Sequence, residues 1–411
     1  PAMDMMPPTT KRCNFQIVHC WSLAGFGTSI SLSFCPSKKD STPNNKTDAT
    51  DEKSLSTTSS PTLPPPQIIL DLGATPIYGD AISASIVLLT HGHIDHIGAI
   101  FSHARAYQMN HAGSVPTYYM PKSILPLVEK ARDAMIAINN CIIENYNDVH
   151  LHDNNPKDIP QNNQHNSSRS LPMKFIGVEP GQEYILPLRK HLQGNQIVIR
   201  TFQTTHGNCP SVGYILMTRK RNVSLKDEYR GLSKDETRRL IQAGVPIKQE
   251  HIEEQWDLAY TGDTTIDGLR KDLTLWSQCH TFLCECTYLE SSTTEESSKV
   301  LAYERGHIHI QHIVQLLQEI ESTSQLSSPP RILLLHISNR YTAVQTMDYL
   351  LEAIPMKFIS QIHVAIMALR GSKTLQCLTN RQNSSFVSLL MYQTKFQSDK
   401  RQGSIIRKRS P

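Results

Sequence analysis

Short apolar runs that stop abruptly in polar residues alternate along this chain with amphipathic stretches of helical period. Residues 14–34 alternate apolar and polar positions around Gly25-Phe26-Gly27, the pattern of two strands joined by a turn. Six more apolar runs end in polar residues: IILDLG at 68–73, IVLLTHGH at 86–93, IVIRTFQTTHG at 197–207, LAYTGDTT at 258–265, FLCECTYL at 282–289 and RILLLHIS at 331–338. Each reads as a strand that delivers polar side chains at its carboxyl end. Helical segments lie between them, as where Ile310, Ile313, Val314, Leu317 and Ile320 fall on one apolar stripe. Strands alternating with helices predict an α/β protein.

Two stretches break the pattern. Residues 36–66 and 153–170, the latter containing QNNQHNSS, hold almost no large apolar side chain, so burial there cannot offset the entropy of ordering. They predict surface insertions within one domain spanning 14–370. Residues 371–411, rich in Lys and Arg with Asp399 as the one acidic residue, predict a basic, disordered tail.

A net charge of +4 over 411 residues says little about nucleic acid, so the distribution of charge matters more. Residues 219–248 carry nine Lys or Arg against four acidic residues, a candidate RNA-facing surface. No run approaches the roughly 20 apolar residues of a membrane span, which argues against a transmembrane protein. Nine scattered cysteines, an odd number, fit a reducing compartment, with Cys284 and Cys286 read as small buried hydrophobes. Cytoplasm or nucleus is expected, and an organelle stays compatible because the sequence opens on Pro1.

The strongest chemical signal is HGHIDH at 91–96, directly after the apolar run Ile86–Leu89. Imidazole and carboxylate are zinc donors, and a tight loop at a strand end can aim several at one point. Buried together, three histidines and an aspartate need partners, and a metal site supplies them.

HxHxDH after a strand resembles the signature of the metallo-β-lactamase superfamily. The resemblance implies an αββα fold, two β-sheets sandwiched between helices, with two metal ions at one edge. His206, Asp263 and His336 follow later strands in the order the superfamily implies. Carried over, His91, His93 and His206 hold one Zn2+, Asp95, His96 and His336 hold the other, and Asp263 bridges them. Two such ions lower the pKa of a shared water towards about 7. Asp95 is then the implied proton acceptor.

Two further segments are similar to those of tRNase Z. CECT at 284–287 and RGHIHI at 305–310 match its paired glutamate and histidine segments, implying that Glu285 orients His307 and that His307 acts in catalysis. Cys284 and Cys286 then face away from Glu285, since side chains alternate on a strand. His309 and His312 read as helix-surface residues. HISNRYT at 336–342 is similar to the family's ending and implies that Ser338 and Arg340 contact phosphate, and GLSKDETRRLIQAGVPI at 231–247 is similar to a segment of the short plant-type enzymes. The resemblance implies removal of the 3′ trailer of precursor tRNA, leaving a 3′ hydroxyl on the tRNA and a 5′ phosphate on the trailer, and a homodimer. The alternative is another dinuclear hydrolase of the superfamily, acting on a small phosphodiester, sulfate or thioester. The sequence departs from the family where a PxKxRN loop is common, reading LAGFGTS instead, and it lacks a Gly/Pro-rich tRNA-gripping arm.

Overall fold

The computed structural model describes residues 13–35, 66–73, 82–139, 171–188, 195–271, 273, 275, 278–290, 295–322, 330–376 and 386–396. Most of the expected insertions 36–66 and 153–170 therefore lies outside the described residues. Six strands form one sheet in sequence order: β1 (Phe15–Leu23), β2 (Gly27–Phe34), β3 (Ile68–Leu72), β4 (Ile86–Leu88), β5 (Thr117–Pro121) and β6 (Lys174–Val178). Eight more form a second: β7 (Glu183–Ile185), β8 (Asn195–Gln203), β9 (Val212–Leu225), β10 (Lys248–Tyr260), β11 (Thr281–Glu285), β12 (Arg331–Leu335), β13 (Ile362–Ala365) and β14 (Phe386–Ser388). The runs read as strands from their patterning are strands.

The sheets face one another across an apolar layer. Leu32, Leu70, Leu88 and Tyr119 from the first meet Leu216, Tyr260, Leu283 and Leu333 from the second. Helices cover both outer faces. On the first sheet, α1 (Ile100–Asn110) and α2 (Leu125–Asn139) pack Ile100, Ala104 and Val128 against Val87, Leu89 and Tyr118. On the second sheet the outer helices include α3 (Ile310–Ser322) and α4 (Ala343–Ala353), whose Ile313, Leu317, Met347 and Leu350 meet Phe282, Cys284, Ile332 and Leu334. The strand period sends Leu283 into the inter-sheet layer and Cys284 and Cys286 under the helices, as expected of small buried side chains.

Strand direction decides where chemistry can gather. β3 to β6 run parallel, as do β10 to β13, and β8 runs the same way as β10 because both are antiparallel to the intervening β9. The carboxyl ends of β8, β10, β11 and β12 thus share one edge of the second sheet. In open α/β sheets that edge is where ligands bind.

Two expectations are corrected. The chain past Gly371 is not wholly a disordered tail: β14 pairs with β13, and Val387, Leu389 and Tyr392 are buried in the second core. Its Lys and Arg residues masked the apolar run FVSLLMY. Residues 219–248 do not form a simple basic face either. β9 and β10 extend as a two-stranded hairpin beyond their sheet neighbours, topped by a helix at Lys234–Gln242 with a Ser233/Glu236 capping box. β10 brings Glu254 to 2.5 Å from Arg219 and sets Glu250 on Arg221, while Glu183 of β7 takes the other end of Arg219. Two of the arginines, Arg219 and Arg221, are thus paired with carboxylates from outside the segment.

Truncation at residue 385 should therefore destabilise the protein. Losing three buried apolar side chains removes roughly 1.5–3 kcal/mol each. Thermal unfolding of the shortened chain should show a midpoint lower by several degrees, and an unchanged midpoint would mean that this segment contributes no stability.

Candidate metal centre and active site

All seven residues implied as metal ligands converge at the shared edge. The loop after β4 carries His91, His93, Asp95 and His96; His206 follows β8, Asp263 follows β10 and His336 follows β12. Asp263 Oδ2 is the hub, with His96 Nε2 at 3.3 Å, His336 Nε2 at 3.4 Å, His206 Nε2 at 3.8 Å and His91 Nε2 at 3.9 Å. Among the described residues, candidate ligand atoms lie within 4.8 Å of one another as His91, His93 and His206; His91, His96 and Asp263; Asp95, His96 and His336; His206, Asp263 and His307; and Glu285, His307 and His336. The first and third hold the residues of the two implied sets, while Asp263 and His307 each join two groups.

The donor set suits a borderline divalent metal. His91 Nε2 and Asp263 Oδ1 are buried without a hydrogen-bond partner, a costly arrangement that metal ligation would relieve.

Outer partners fix the imidazoles. His96 Nδ1 lies 2.8 Å from Asp71 and His206 Nδ1 lies 2.8 Å from the Gly306 carbonyl, both acceptors, so each Nδ1 donates and, in the neutral ring, each Nε2 turns a lone pair inward; against burial, Asp263 and Asp71 raise the pKa of His96. His91 Nδ1 is 3.0 Å from the Thr90 hydroxyl, which itself donates to Asp71 at 2.8 Å. His336 Nδ1 is 3.1 Å from the Thr287 hydroxyl, which donates to Glu285 at 2.7 Å. His93 differs, turning Nδ1 inward, 3.1 Å from His206 Nε2. Gly306 permits the His206 contact: its φ is +78°, and a Cβ there would stand 2.8 Å from His206 Nδ1.

Asp71 was missed by the sequence reading. Fully buried, it accepts from the Thr90 amide (2.7 Å), the Thr90 hydroxyl, His96 and the Tyr260 hydroxyl (2.6 Å). Its signal was a carboxylate inside the apolar run IILDL, which needs a buried reason to exist. Asp71 (φ 50°) and His336 (φ 58°) are the non-glycine residues with positive φ among those described, and both serve this cluster.

Beside the cluster, His307 Nδ1 lies 3.1 and 3.2 Å from the two oxygens of Glu285, as implied. Glu285 is buried and also accepts from the Thr264 amide at 2.7 Å. His307 precedes α3, the place expected for it. Burial alone would lower its pKa, but the charge and hydrogen bond of Glu285, with Asp263 behind, raise it to about 9. Asp95 is likewise opposed by burial and yet held low by His336 and His96, and its Oδ2 accepts from the Gly25 amide at 3.0 Å. Burial lowers the pKa of His91 and His93, keeping them neutral as ligands must be.

Arg340 and Ser338 lie further out. Arg340 donates to Glu290 at 2.7 Å and to the Ser338 hydroxyl at 3.1 Å, and its guanidinium stacks over Tyr288 at 4.9 Å. His309 is corrected: it is buried, with Nε2 3.1 Å from the Glu290 carbonyl, because it precedes the helix start and escapes the helical period.

No family model matches the chain. tRNase Z TRZ1 of Arabidopsis thaliana is 29% identical over 286 residues, 69% of this chain and 82% of that protein. The sequence likeness is to tRNase Z. A second protein, tRNase Z TRZ2, chloroplastic, from the same plant, is 24% identical over 294 residues, 71% of this chain and 67% of its own length. Among solved structures, the metallo-β-lactamase fold protein YhfI from Bacillus subtilis aligns at a TM-score of 0.41 and 12% identity, covering 83% of this chain and 92% of that one. The four layers, helices outside two facing sheets with the site at the strand ends, are the αββα arrangement that the sequence resemblance implied. The described residues include no helix long and apolar enough to cross a membrane.

Asp71→Ala should weaken metal binding about 10- to 100-fold, the usual cost of removing an outer partner, although Asp71 reaches the cluster only through Thr90 and His96. Titration with a zinc-competing chelator would measure this, and unchanged affinity would reduce Asp71 to a packing residue.

Proposed function

We propose that this protein is an endoribonuclease that removes the 3′ trailer of precursor tRNA, using two Zn2+ ions. The carrying observation is His307, backed by the buried Glu285, standing at the rim of the cluster centred on Asp263, with a sequence likeness to two tRNase Z proteins. Phosphodiester hydrolysis needs a deprotonated water, compensation of phosphate charge and a proton for the departing 3′ oxygen. Two divalent ions, if held by the seven ligands, would supply positive charge for the phosphate and lower the pKa of a bound water.

The chain's own groups do the rest. Asp95, fixed by the Gly25 amide and kept ionised by its histidines, takes the proton of the attacking water. His307 turns Nδ1 to Glu285, so its Nε2 is the end that can give a proton to the 3′ oxygen. A base held at about 9 is protonated at neutral pH, the form an acid catalyst requires. Arg340, anchored by Ser338 and Glu290, offers its remaining edge to a neighbouring phosphate. The reading includes an intracellular site, cytoplasm or nucleus, supported by the absence of disulfides among the described cysteines, and a homodimer, which the elution volume of the purified protein would test.

Labelled precursor tRNA should be cut at the trailer junction by the purified protein and spared after chelation, and cleavage of small diesters alone would overturn the reading. Elemental analysis should find close to two zinc ions per chain. His307→Ala should keep its metal and lose about 10²- to 10⁴-fold in single-turnover cleavage. Because acid catalysis needs the protonated form, the rate should fall as pH rises through about 9, and Glu285→Gln should move that fall to lower pH by removing the charge that raises His307. A fall unmoved by Glu285→Gln would assign it to another group.

A further inference from the structure

The β1–β2 turn is built into the site. The Ala24 amide donates to the carbonyl of Ile337, next to His336, at 3.2 Å, and the Gly25 amide donates to Asp95 at 3.0 Å. The Ser22 hydroxyl accepts from the His336 amide at 2.9 Å, and Phe26 closes the turn through its amide onto the Leu23 carbonyl at 3.0 Å. Gly25 has φ +72°, suited to this tight turn. The turn is thus tied to both the loop of Asp95 and the loop of His336.

On this rigid support two large apolar side chains are left in water. Phe26 is 62% exposed and Ile94 is 76% exposed, and each is one residue from a partner in the Gly25–Asp95 hydrogen bond. Single exposed apolar residues need no explanation. Two that each adjoin a partner of the hydrogen bond to the residue assigned to activate water, one of them an aromatic between two glycines, set an exposed apolar step beside a strongly polar site. A phosphodiester presented to Asp95 brings a nucleoside on each side within reach of that step. Unpaired bases are commonly bound by stacking on aromatic side chains held on rigid elements.

We propose that Phe26, flanked by Ile94, is the stacking platform for an unpaired base next to the scissile phosphate, and so determines how strongly the protein depends on a base there. The inference rests on the RNA-cleaving reading and goes beyond it by assigning a base subsite to a turn that carries no charge. Stacking of one base accounts for about 5- to 100-fold in binding.

The test is a cycle of two changes. Wild type, Phe26→Ala and Phe26→Trp are each given precursor tRNA in which the nucleotide on one side of the cleaved bond, then on the other, is replaced by an abasic residue. In the wild type one abasic replacement should lower kcat/KM about 5- to 100-fold. Phe26→Ala should lose a similar factor on the normal substrate and almost nothing more on that abasic one, while Phe26→Trp keeps the wild-type dependence. Zinc content equal to wild type shows that each variant has kept its site. Multiplicative losses from Phe26→Ala and from both abasic positions would overturn the platform and leave the nuclease reading standing. A wild type that cuts no precursor tRNA would overturn both.

Discussion

Asp263 gathers imidazole nitrogens of His91, His96, His206, His307 and His336 within 3.9 Å of one carboxylate oxygen. Burying so many polar groups together is unfavourable unless each has a defined partner. Much of the surrounding structure can be understood as supplying those partners. Burial would favour a neutral Asp263, but the charges of His336 and His96 keep it ionised. The same histidines are in turn held from outside.

That outer support is built twice, once from each sheet. Asp71 closes β3, accepts from the Thr90 hydroxyl and from His96, and through Thr90 reaches His91. Glu285 closes β11, accepts from the Thr287 hydroxyl, faces His307, and through Thr287 reaches His336. In each case a buried carboxylate and one threonine orient two imidazoles. A threonine hydroxyl has a single proton, and both spend it on the carboxylate, so each must accept from its histidine. In their neutral form the tautomers of His91 and His336 follow from that count, with Nε2 unprotonated and turned inward.

The alternation of apolar runs and polar ends was legible because each strand is buried on both faces and then emerges at one edge. The ligand loop at 91–96 was legible because its signal is local, and His206, Asp263 and His336 because each follows such a run. Asp71 escaped because a carboxylate inside an apolar run does not name its partners: its four hydrogen bonds come from Thr90 after β4, His96 of the ligand loop and Tyr260 of β10. The β9–β10 extension escaped because strands polar on both faces show no alternation; pairing then set Glu250 and Glu254 against arginines distant in sequence. The apolar residues around Val387 were hidden by the charges beside them, and long-range contacts, Tyr392 donating to Asp348 and packing in the core between the second sheet and its outer helices, decided their place.

The first hairpin supplies Ser22, Ala24 and Gly25 to the loops of Asp95 and His336, and β12, which leads into His336, begins only at residue 331. A chain emerging from the ribosome therefore has its first clamp long before the last ligand. Until that late strand leaves the exit tunnel, the half-built protein lacks a competent centre. Nearby RNA, including the message being translated, meets the finished site only after synthesis has passed the last ligand.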